Sequence, residues 1–417
     1  MTNIGVVGAG TAGLHLGLLL RQHDIPVTIY TDRTADQVAE GRLPNSVAHH
    51  AVTIEREREL GVDHWPVEEF GYFCHHHWVG GAGLFFRGNF HNPSRAVDYR
   101  IYQPTLMGDF EDRGGRIEIR SVEAEDLDAL SEKHDAIVVA SGKKSLGDFF
   151  GINEAKTPYA GPQRRLMVGL WHGVANEDTK SVTLSIAPGH GELLDIPLYS
   201  FAGHTHALLF ENVIGGDTEV LADARYDDDP EAFRRLVLDK VRQYHPTVSA
   251  RIDESTFELA RPQDLLQGAV RPVLRNDYRV LDNGTVVIAA GDVHSVLDPV
   301  IGQGGNSASY SGYTVGQEIL EDRGFGADLG RRAAARRSER VEKVSDWTNL
   351  MVQVPPAAHM IDLLGAMSQS PTLADEFTQN FNDPIAQWDD VVGSPEIAAA
   401  AIARTAAHDA SEEPAHA

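Results

Sequence analysis

The sequence predicts an α/β protein in which a Rossmann-like domain carries an inserted, mainly antiparallel β-sheet domain and a helical C-terminus. Three observations predict this class: a strand–glycine turn–helix–strand opening, two further short buried strands at residues 136–142 and 285–292, and β runs of a different texture between them. At 417 residues the chain also exceeds what one hydrophobic core normally supports. We therefore expect two or three domains.

The opening βαβ unit is built around a glycine turn. Gly8, Gly10 and Gly13 form G-x-G-x-x-G between the strand NIGVV and a helical pattern. Gly8 would permit the tight turn, Gly10 would let the backbone approach a pyrophosphate, and Gly13 would let helix and strand pack closely. The helix N-terminus would face the anion. The acidic residue expected at the end of the second strand, for a ribose hydroxyl, is displaced by one position to Asp32.

The middle of the chain has strand patterns of another kind. The runs SVTLSIA, GELLDIPLYSF and HALLFENVI are separated by Gly, Pro and His turns, which is typical of an antiparallel sheet. Residues 230–245 then start with Pro at a helix N1 position and place apolar residues at helical spacing. We interpret the preceding acidic run, residues 227–229, as charges at the N-terminus of this helix rather than as Mg2+ ligands.

The C-terminal part predicts helices followed by a tail. A helical pattern runs from 327 to 352, and residues 331–343 within it contain six basic side chains against two acidic ones. This pattern predicts a solvated helix face, and the alternative is a docking patch for an acidic partner. The last twenty residues, rich in Ala, Glu and His, predict a frayed tail.

A second glycine-rich loop follows the strand pattern TVVIAAGD. Ahead of a long helical pattern it contains Asp298, Pro299, Gly302, Gln303, Gly304 and Gly305. Such a loop lets backbone N–H groups at a helix start lie against a flat, electron-rich group, and a reduced flavin carries negative charge near N1 and C2=O. The first loop can hold the pyrophosphate of FAD while the second meets the isoalloxazine and Asp292 bonds the ribityl chain. Two distant loops therefore predict one FAD site.

With these loops in place, the chain resembles the FAD-dependent aromatic hydroxylase superfamily, and much more closely the epoxidase component of two-component styrene monooxygenases. The resemblance runs nearly end to end and rests on VGAGTAGLHLGLLLRQHD, TDR, LPNSVAHHAVT, EEFGYF, PSRAVDYRIYQP, APGHGEL, YDDDP, DPVIGQGGNSASY and DEFTQNFNDP. It implies a discontinuous FAD-binding domain and a substrate-binding domain. The bounds we assign are 1–45, 95–165 and 270–330 for the first, 46–94 and 166–269 for the second, and 331–417 for C-terminal helices and a flexible tail.

The resemblance also implies the chemistry. In this family a separate NADH:flavin reductase supplies reduced FAD transiently, and reaction with O2 gives a C4a-hydroperoxyflavin that epoxidises styrene-like vinyl aromatics, with sulfoxidation and indole oxidation alongside. One-component members of the superfamily carry a central Asp-Gly motif that helps to bind a nicotinamide. Here the corresponding region, VVASGKKSLGDFF, has Gly147 and Asp148 in the reversed order, which implies that NADH acts only through the reductase.

Matching positions supply the expected site residues. The residues that match the catalytic and substrate-lining positions are Asn45, Val47, His49, Tyr72, His75 and Ser94. Those expected to bind the cofactor are Gly8, Gly10, Gly13, Asp32, Arg42, Gln103, Asp292, Pro299, Gly302, Gln303, Gly304 and Asn306. The set resembles the styrene-type pattern more than the indole-oxidising one. The region from His75 to Trp78 is richer in histidine than the family pattern, so the pocket shape can differ.

Composition excludes several other classes of function. The net charge of -25 repels nucleic acid and anionic lipid, and no apolar run approaches the ~20 residues that cross a bilayer. Cys74 is the single cysteine, so neither an intramolecular disulfide nor a cysteine-based zinc site can form. Consecutive histidines on a strand point to opposite faces, so no metal site is predicted. We expect a cytoplasmic protein and leave homodimer formation open.

Alternative functions remain at this point. They are an indole monooxygenase of the same family, a one-component NADH-dependent aromatic hydroxylase, and a non-catalytic flavin-fold binding module. The missing Asp-Gly motif opposes the second, and the intact second loop opposes the third. A flavin halogenase of the same superfamily would be expected to carry W-x-W-x-I-P, whereas the five tryptophans of this chain are nowhere two residues apart.

Overall fold

The computed structural model of the protein describes residues 2–45, 48–142, 144–177, 179–321 and 323–412. Its strands are β1 (Ile4–Val7), β2 (Val27–Thr31), β3 (Ala48–His49), β4 (Gly71–Val79), β5 (Leu84–Ala96), β6 (Arg116–Ile119), β7 (Ala136–Val139), β8 (Arg164–His172), β9 (Ser181–Ala187), β10 (Gly191–Ser200), β11 (Gly203–Val213), β12 (Glu258–Leu259), β13 (Leu265–Ala269), β14 (Val273–Leu274), β15 (Tyr278–Val280), β16 (Val286–Ala289) and β17 (Ser295–Val296).

Its α-helices are α1 (Thr11–Gln22), α2 (Ala35–Ala39), α3 (Ala51–Glu59), α4 (Val67–Phe70), α5 (Tyr99–Asp112), α6 (Leu127–Ser131), α7 (Lys144–Phe150), α8 (Pro230–Tyr244), α9 (Pro246–Ser249), α10 (Gly304–Leu320), α11 (Ala327–Met351), α12 (Ala358–Met367), α13 (Pro371–Gln379), α14 (Pro384–Ala386) and α15 (Pro395–Glu412). A π-helix spans Gln387–Val392, and 3-10 turns span Ala124–Asp126, Glu154–Lys156, Glu219–Ala222, Gly291–Val293 and Pro299–Ile301. None of the helices in the described ranges combines the length and apolar character needed to cross a bilayer.

The first sheet confirms the predicted Rossmann-like domain. Its strand order is β15-β16-β7-β1-β2-β6, in which β15 pairs antiparallel with β16 and the other neighbours are parallel. Ile4 of β1 lies opposite Val27 on one side and Ala136 on the other. Every residue of β1, β7 and β16 is buried, because helices cover both faces of a parallel sheet.

The second sheet confirms the predicted antiparallel insertion. Its order is β12-β8-β11-β10-β9-β4-β5-β3, with β13 also pairing with β8. The long hairpin β10–β11 keeps one register from Gly191 opposite Asn212 to Ser200 opposite Gly203. One pairing, between β4 and β9, is parallel. The predicted helix at 230–245 is α8, and Asp229 caps its N-terminus by accepting a hydrogen bond from the Ala232 N–H at 2.9 Å.

Close packing of α1 on α10 brings the two glycine loops together. A Cβ atom built on Gly312 of α10 would lie 2.1 Å from the carbonyl oxygen of Ala12 in α1, so only glycine allows this backbone contact. Each helix begins directly after one of the two loops. The N-termini of α1 and α10 therefore open toward the same region, between the two sheets.

The predicted frayed tail is wrong up to residue 412. Helix α15 runs over this stretch and packs on α12 and α13. Ala398, Ala401 and Thr405 are each 1% exposed. Their spacing of three and four residues puts them on one face of the helix, and small side chains on that face let α15 lie close to the other C-terminal helices.

The predicted solvated basic face of α11 is wrong in part, since several of its basic side chains are buried or paired inside the molecule. The alternative docking patch stays a prediction. Arg337 is completely buried, ion-paired to Asp277 at 3.0 Å and donating to the Ala289 carbonyl at 2.6 Å. Arg336 pairs with Glu318 at 3.0 Å, and Arg332 donates to the same carboxylate at 3.3 Å. These three arginines use their positive charge within the molecule, because their acidic partners come from other elements of the chain.

Candidate active site

The three glycines of the first loop have different roles. Gly8 has a φ of +110°, and a Cβ there would lie 2.7 Å from the Ala140 carbonyl oxygen. A Cβ on Gly13 would lie 2.0 Å from the carbonyl oxygen of Gly8. Both positions therefore require glycine for packing. Gly10 differs, because its Cβ would meet only the Tyr99 hydroxyl at 3.5 Å within ordinary contact range.

In the second loop, backbone atoms at glycine positions face open space. Asp298 caps its 3-10 turn, with Oδ1 accepting from the Val300 N–H at 3.2 Å. Gly302 follows with a φ of +61°, the left-handed conformation that favours glycine. Around Gly302 and Gly304 an added Cβ would meet no atom within 4 Å. Packing thus leaves open space beside this loop, where α10 begins.

A cavity of about 320 Å³ lies between the two loops. The predicted site residues that line this cavity are Gly10, Asn45, Asp292, Pro299, Gly302 and Gly304. Its apolar wall consists of Leu166, Val168, Leu209, Leu266, Val270, Val296 and Leu297, which come mainly from the second sheet and the segment before the second loop. The cavity is therefore polar at the first loop and apolar toward the sheet.

These features fit FAD. The first turns of α1 and α10 contain no acidic residue, so each helix N-terminus keeps its positive partial charge toward the cavity. Gly10 leaves room at the first loop, where a diphosphate would lie. The amide oxygen of Asn45 lines the cavity, is buried and has no hydrogen-bond partner among the described residues, which indicates that a bound group completes its bonding.

Two predicted cofactor residues of the second loop point away from the cavity. Asn306 is completely buried, and its amide donates to the carbonyls of Ala48 and Gly302 at 2.9 Å each. Its Oδ1 accepts from the His50 N–H at 3.0 Å. Gln303 is buried as well and donates to the Phe381 carbonyl at 2.8 Å. Both side chains hold the loop in place rather than face the cofactor space.

Three further predicted cofactor residues lie outside the cavity lining. Arg42 is largely exposed and pairs with Asp227 at 3.2 Å in an adjoining surface pocket. Asp32 follows the end of β2 and is exposed, and Gln103 is half-buried on α5. Within the described ranges, the cavity wall includes none of the three.

His49 belongs to a different cluster from the one expected. Its Nδ1 lies 2.8 Å from Oε1 of Glu57, which is completely buried and also pairs with Arg95. The Tyr102 hydroxyl donates to the same Glu57 oxygen at 2.8 Å. The side chains of His49 and the following His50 point to opposite sides of the chain at β3, so His49 joins this ionic network and does not reach the cavity.

Tyr72, His75 and Ser94 lie together in a buried cluster, and none of the three is part of the cavity lining. Tyr72 on β4 is directly opposite Ser94 on β5 and stacks on the His75 ring with centroids 5.9 Å apart. Ser94 is hydrogen-bonded to Nδ1 of His50 at 2.9 Å. Phe381 packs edge-on against His75 at 4.7 Å. Val47, also expected here, lies outside the described residues.

Burial keeps the histidines of this region neutral. It lowers the pKa of His50 to about 3 and the pKa of His75 well below its usual value, and neighbouring histidines lower both further. Nε2 of His50 and Nδ1 of His75 have no hydrogen-bond partner in the described structure. These imidazoles can thus offer a hydrogen bond without carrying a mobile proton. Among the described residues, no group of His, Cys, Asp and Glu has a metal-binding arrangement.

Acid should destabilise the protein because its buried histidines must become charged on unfolding. Burial lowers the folded-state pKa of His15, His50, His77 and His245 from 6.5 to about 3 and lowers that of His75 well below 6.5. The unfolded chain therefore binds more protons below pH 6.5, and stability present above that pH is lost as the pH falls toward 3. As the pH falls by the first unit below 6.5, each of these histidines should lower the free energy of unfolding by about 1 kcal/mol.

Thermal unfolding followed from pH 7.5 down to about pH 5 tests this expectation. His245→Asn, far from the cavity, should reduce the pH dependence, because the amide can replace the ring in its 2.8 Å hydrogen bond to Ser185. The exposed His91→Gln is the matched control and should leave the slope unchanged. A melting temperature that does not vary with pH in wild type would contradict the burial of neutral histidines.

No local sequence pattern identifies Tyr99 or the residues of the apolar wall as part of the site. The Tyr99 hydroxyl lines the cavity and accepts a hydrogen bond from the Thr11 N–H at 2.8 Å, at the start of α1. The two residues are 88 positions apart, so no local pattern connects them. The wall residues come from ordinary strand alternation, in which cavity-facing and core-facing apolar residues look alike.

Comparison with known proteins places the chain in a family. Residues 142–251 match the family model described as "Styrene monooxygenase A putative substrate binding domain". The chain is 49% identical to styrene monooxygenase StyA of Pseudomonas fluorescens over 93% of this chain and 94% of that protein, and StyA of a Pseudomonas sp. gives the same values.

Solved structures with 14% sequence identity share the fold. The flavin-dependent brominase Bmp2 superposes with a TM-score of 0.69 over 98% of this chain and 99% of that one. PqsL, a probable FAD-dependent monooxygenase from Pseudomonas aeruginosa, gives 0.62 over 84% and 95%. At this identity the structures establish the fold alone, whereas the relatives at 49% identity establish the family. The chain belongs to the styrene monooxygenase family.

Proposed function

We propose that the chain is the oxygenase component of a two-component styrene monooxygenase, which takes up externally reduced FAD and O2 and epoxidises styrene-like vinyl aromatics. The observation that carries this proposal is the cavity, which joins two helix N-termini and bare glycine backbone to an apolar wall. Such a cavity suits a long anionic cofactor at one end and a small aromatic hydrocarbon beside it.

Different residues of this chain would bind different parts of the cofactor. When bound, reduced FAD supplies the oxygen-activating chemistry. Backbone N–H groups at the start of α1, beside Gly10, would hold the diphosphate. Asp292 would accept hydrogen bonds from the ribityl hydroxyls, and the backbone from Pro299 to Gly304 would lie against the isoalloxazine. The N-terminus of α10 would stabilise negative charge on the reduced ring.

The apolar wall would place the substrate and exclude water. Side chains such as Val168 and Leu209 offer an aromatic hydrocarbon only dispersion contacts and burial, which favours a vinyl aromatic over a charged acid. The neutral imidazoles of His50 and His75, which are buried in the cluster with Tyr72 and Ser94, would have no proton to release into the site. Asn45 would supply a directed hydrogen bond at the polar end of the cavity. A dry site of this kind protects reactive oxygen from unproductive release.

Dependence on a separate reductase is the part of the proposal that is simplest to test. The reversed Gly147 and Asp148 lie within α7, where they form no nicotinamide motif of the one-component type. Purified chain with FAD, NADH, O2 and styrene should yield no styrene oxide, and addition of an NADH:flavin reductase should start its formation. Reductase without the chain is the control. Epoxide formed from NADH by the chain alone would favour a one-component hydroxylase instead.

A further inference from the structure

Two buried carboxyl groups meet directly behind the second loop. Glu211 on β11 and Asp298 at the start of the loop are both completely buried, and their carboxyl groups lie close enough for a shared proton to join them. Both oxygens of Glu211 and Oδ2 of Asp298 have no N–H or O–H donor from any other described residue. A hydrogen bond between two carboxyl groups requires a proton on one of them.

The neighbouring charges do not neutralise this pair. Glu192 on β10 lies directly opposite Glu211. Arg164 donates to both carboxylate oxygens of Glu192, at 2.8 and 3.0 Å, and to the Val352 carbonyl at 3.0 Å. Tyr159 is the other titratable group that faces Asp298. One arginine thus stands among three acids, and its charge is already committed to Glu192.

Electrostatics supports a retained proton. Burial and the adjacent Asp298 raise the pKa of Glu211 well above its usual range, and Glu192 adds to the effect. Burial likewise raises the pKa of Asp298, which the Val300 N–H and Arg164 partly oppose. Two carboxyl groups in contact inside a protein cannot both be ionised without a large cost in free energy.

The pair is placed where it can fix the second loop. Asp298 lies between Leu297 and Pro299, which both line the cavity. Its Oδ1 caps the turn that leads to Gly302. On the other side, Glu211 is two residues from Leu209 in the apolar wall. The shared hydrogen bond therefore connects the loop to the sheet that forms the wall.

We propose that Glu211 is a positioning residue: it shares one proton with Asp298, and this protonated pair fixes the second loop against β11 beside the cofactor space. Loss of the proton would place two carboxylates in contact, push the loop from the strand and add a negative charge next to the ring of reduced FAD. The flavin consequence rests on the proposed function, whereas the proton-sharing pair does not.

Unfolding of the flavin-free chain tests the pair itself. The folded state holds a proton that the unfolded chain has already lost, so wild type should lose stability as the pH rises above about 6.5, where the buried histidines are neutral in both states. Glu211→Gln supplies a permanently neutral hydrogen-bond donor and should remove most of this decline. The matched control is Glu192→Gln, directly across the strand, which should lower stability at every pH because Arg164 loses its partner. A Glu211→Gln variant that is destabilised across the range and declines with pH like wild type would overturn the proposal.

Cofactor binding tests the consequence for the loop. Anaerobic titration should show that Glu211→Gln binds reduced FAD about fivefold more tightly than wild type at the alkaline end, because one negative charge beside the proposed position of the flavin ring is removed. Near pH 6 the two proteins should match, and oxidised FAD, with its neutral ring, should show a smaller difference. If the ratio of the affinity for reduced FAD to that for oxidised FAD is the same in both proteins at every pH, the proposed effect of the pair on flavin binding is overturned. Failure of both proteins to bind FAD would instead overturn the proposed function. The unfolding experiment would still show whether Glu211 and Asp298 share a proton.

Discussion

Replacing Gly10 with valine is expected to weaken the binding of FAD about 100-fold, a loss of roughly 3 kcal/mol. Gly10 has φ -76° and ψ -178°, which any residue adopts, and a Cβ there has open space apart from the Tyr99 hydroxyl at 3.5 Å. The chain should therefore fold normally. The valine side chain would occupy the space beside the start of α1 where the diphosphate is proposed to lie.

Fluorescence titration with oxidised FAD and anaerobic titration with the reduced form measure this effect. Gly108→Val, on the exposed side of α5 with no atom within 4 Å of the added Cβ, is the matched control and should bind FAD like wild type. Gly13→Ala provides a contrast, because its Cβ would lie 2.0 Å from the Gly8 carbonyl oxygen and should disrupt the loop itself. Normal FAD affinity in a folded Gly10→Val protein would contradict the proposed position of the diphosphate.

Replacing Glu57 with leucine is expected to lower the free energy of unfolding by about 4 kcal/mol. The carboxylate is completely buried and holds Arg95, His49 and the Tyr102 hydroxyl together. The pKa of Glu57 falls to about 2, because its charged form is favoured by His49 and Arg95 despite burial. Its removal leaves the Arg95 cation, 1% exposed, with Asp63 as its remaining carboxylate partner.

Chemical denaturation at pH 7 measures this cost. Glu55→Leu on the same helix is the control, since Glu55 is exposed and its replacement should change the free energy of unfolding by less than about 0.5 kcal/mol. Equal stability of the two variants would contradict the role of Glu57 as the centre of the network. The expectation also concerns His49, because it assigns this residue to the network that supports β3 rather than to the cavity.

The sequence predicted those parts of the fold whose signals are local. The β1–α1–β2 unit could be derived because Gly8, Gly10 and Gly13 stand between a strand and a helix, and the structure gives Gly8 and Gly13 a steric reason to be glycine. The parallel strands β7 and β16 were visible as short apolar runs, and β9, β10 and β11 as runs between turn residues. In each case the residues that decide the structure are neighbours in the chain.

Predictions failed where a partner from a distant segment decides the outcome. Arg337 looked like one of several solvated arginines, but Asp277, 60 positions earlier, pairs with it in the interior. Asn306 matched a cofactor position, but its side chain donates to the Ala48 and Gly302 carbonyls and accepts from the His50 N–H and the Thr53 hydroxyl. The sequence of the last helix predicted a tail because alanine is common in helices and in tails alike. Ala398 and Ala401 become core residues only through the packing of this helix on α12 and α13.

The central claim is tested most directly by supplying the reduced cofactor without any reductase. The chain is mixed anaerobically with chemically reduced FAD, oxygenated buffer is added with and without styrene, and the flavin absorbance is followed while styrene oxide is assayed. We predict that styrene oxide forms without NADH and that styrene changes the rate at which the flavin returns to its oxidised form. Rapid reoxidation with hydrogen peroxide as the product, and no oxygenated product from styrene, indole or a thioether, would contradict the proposed function.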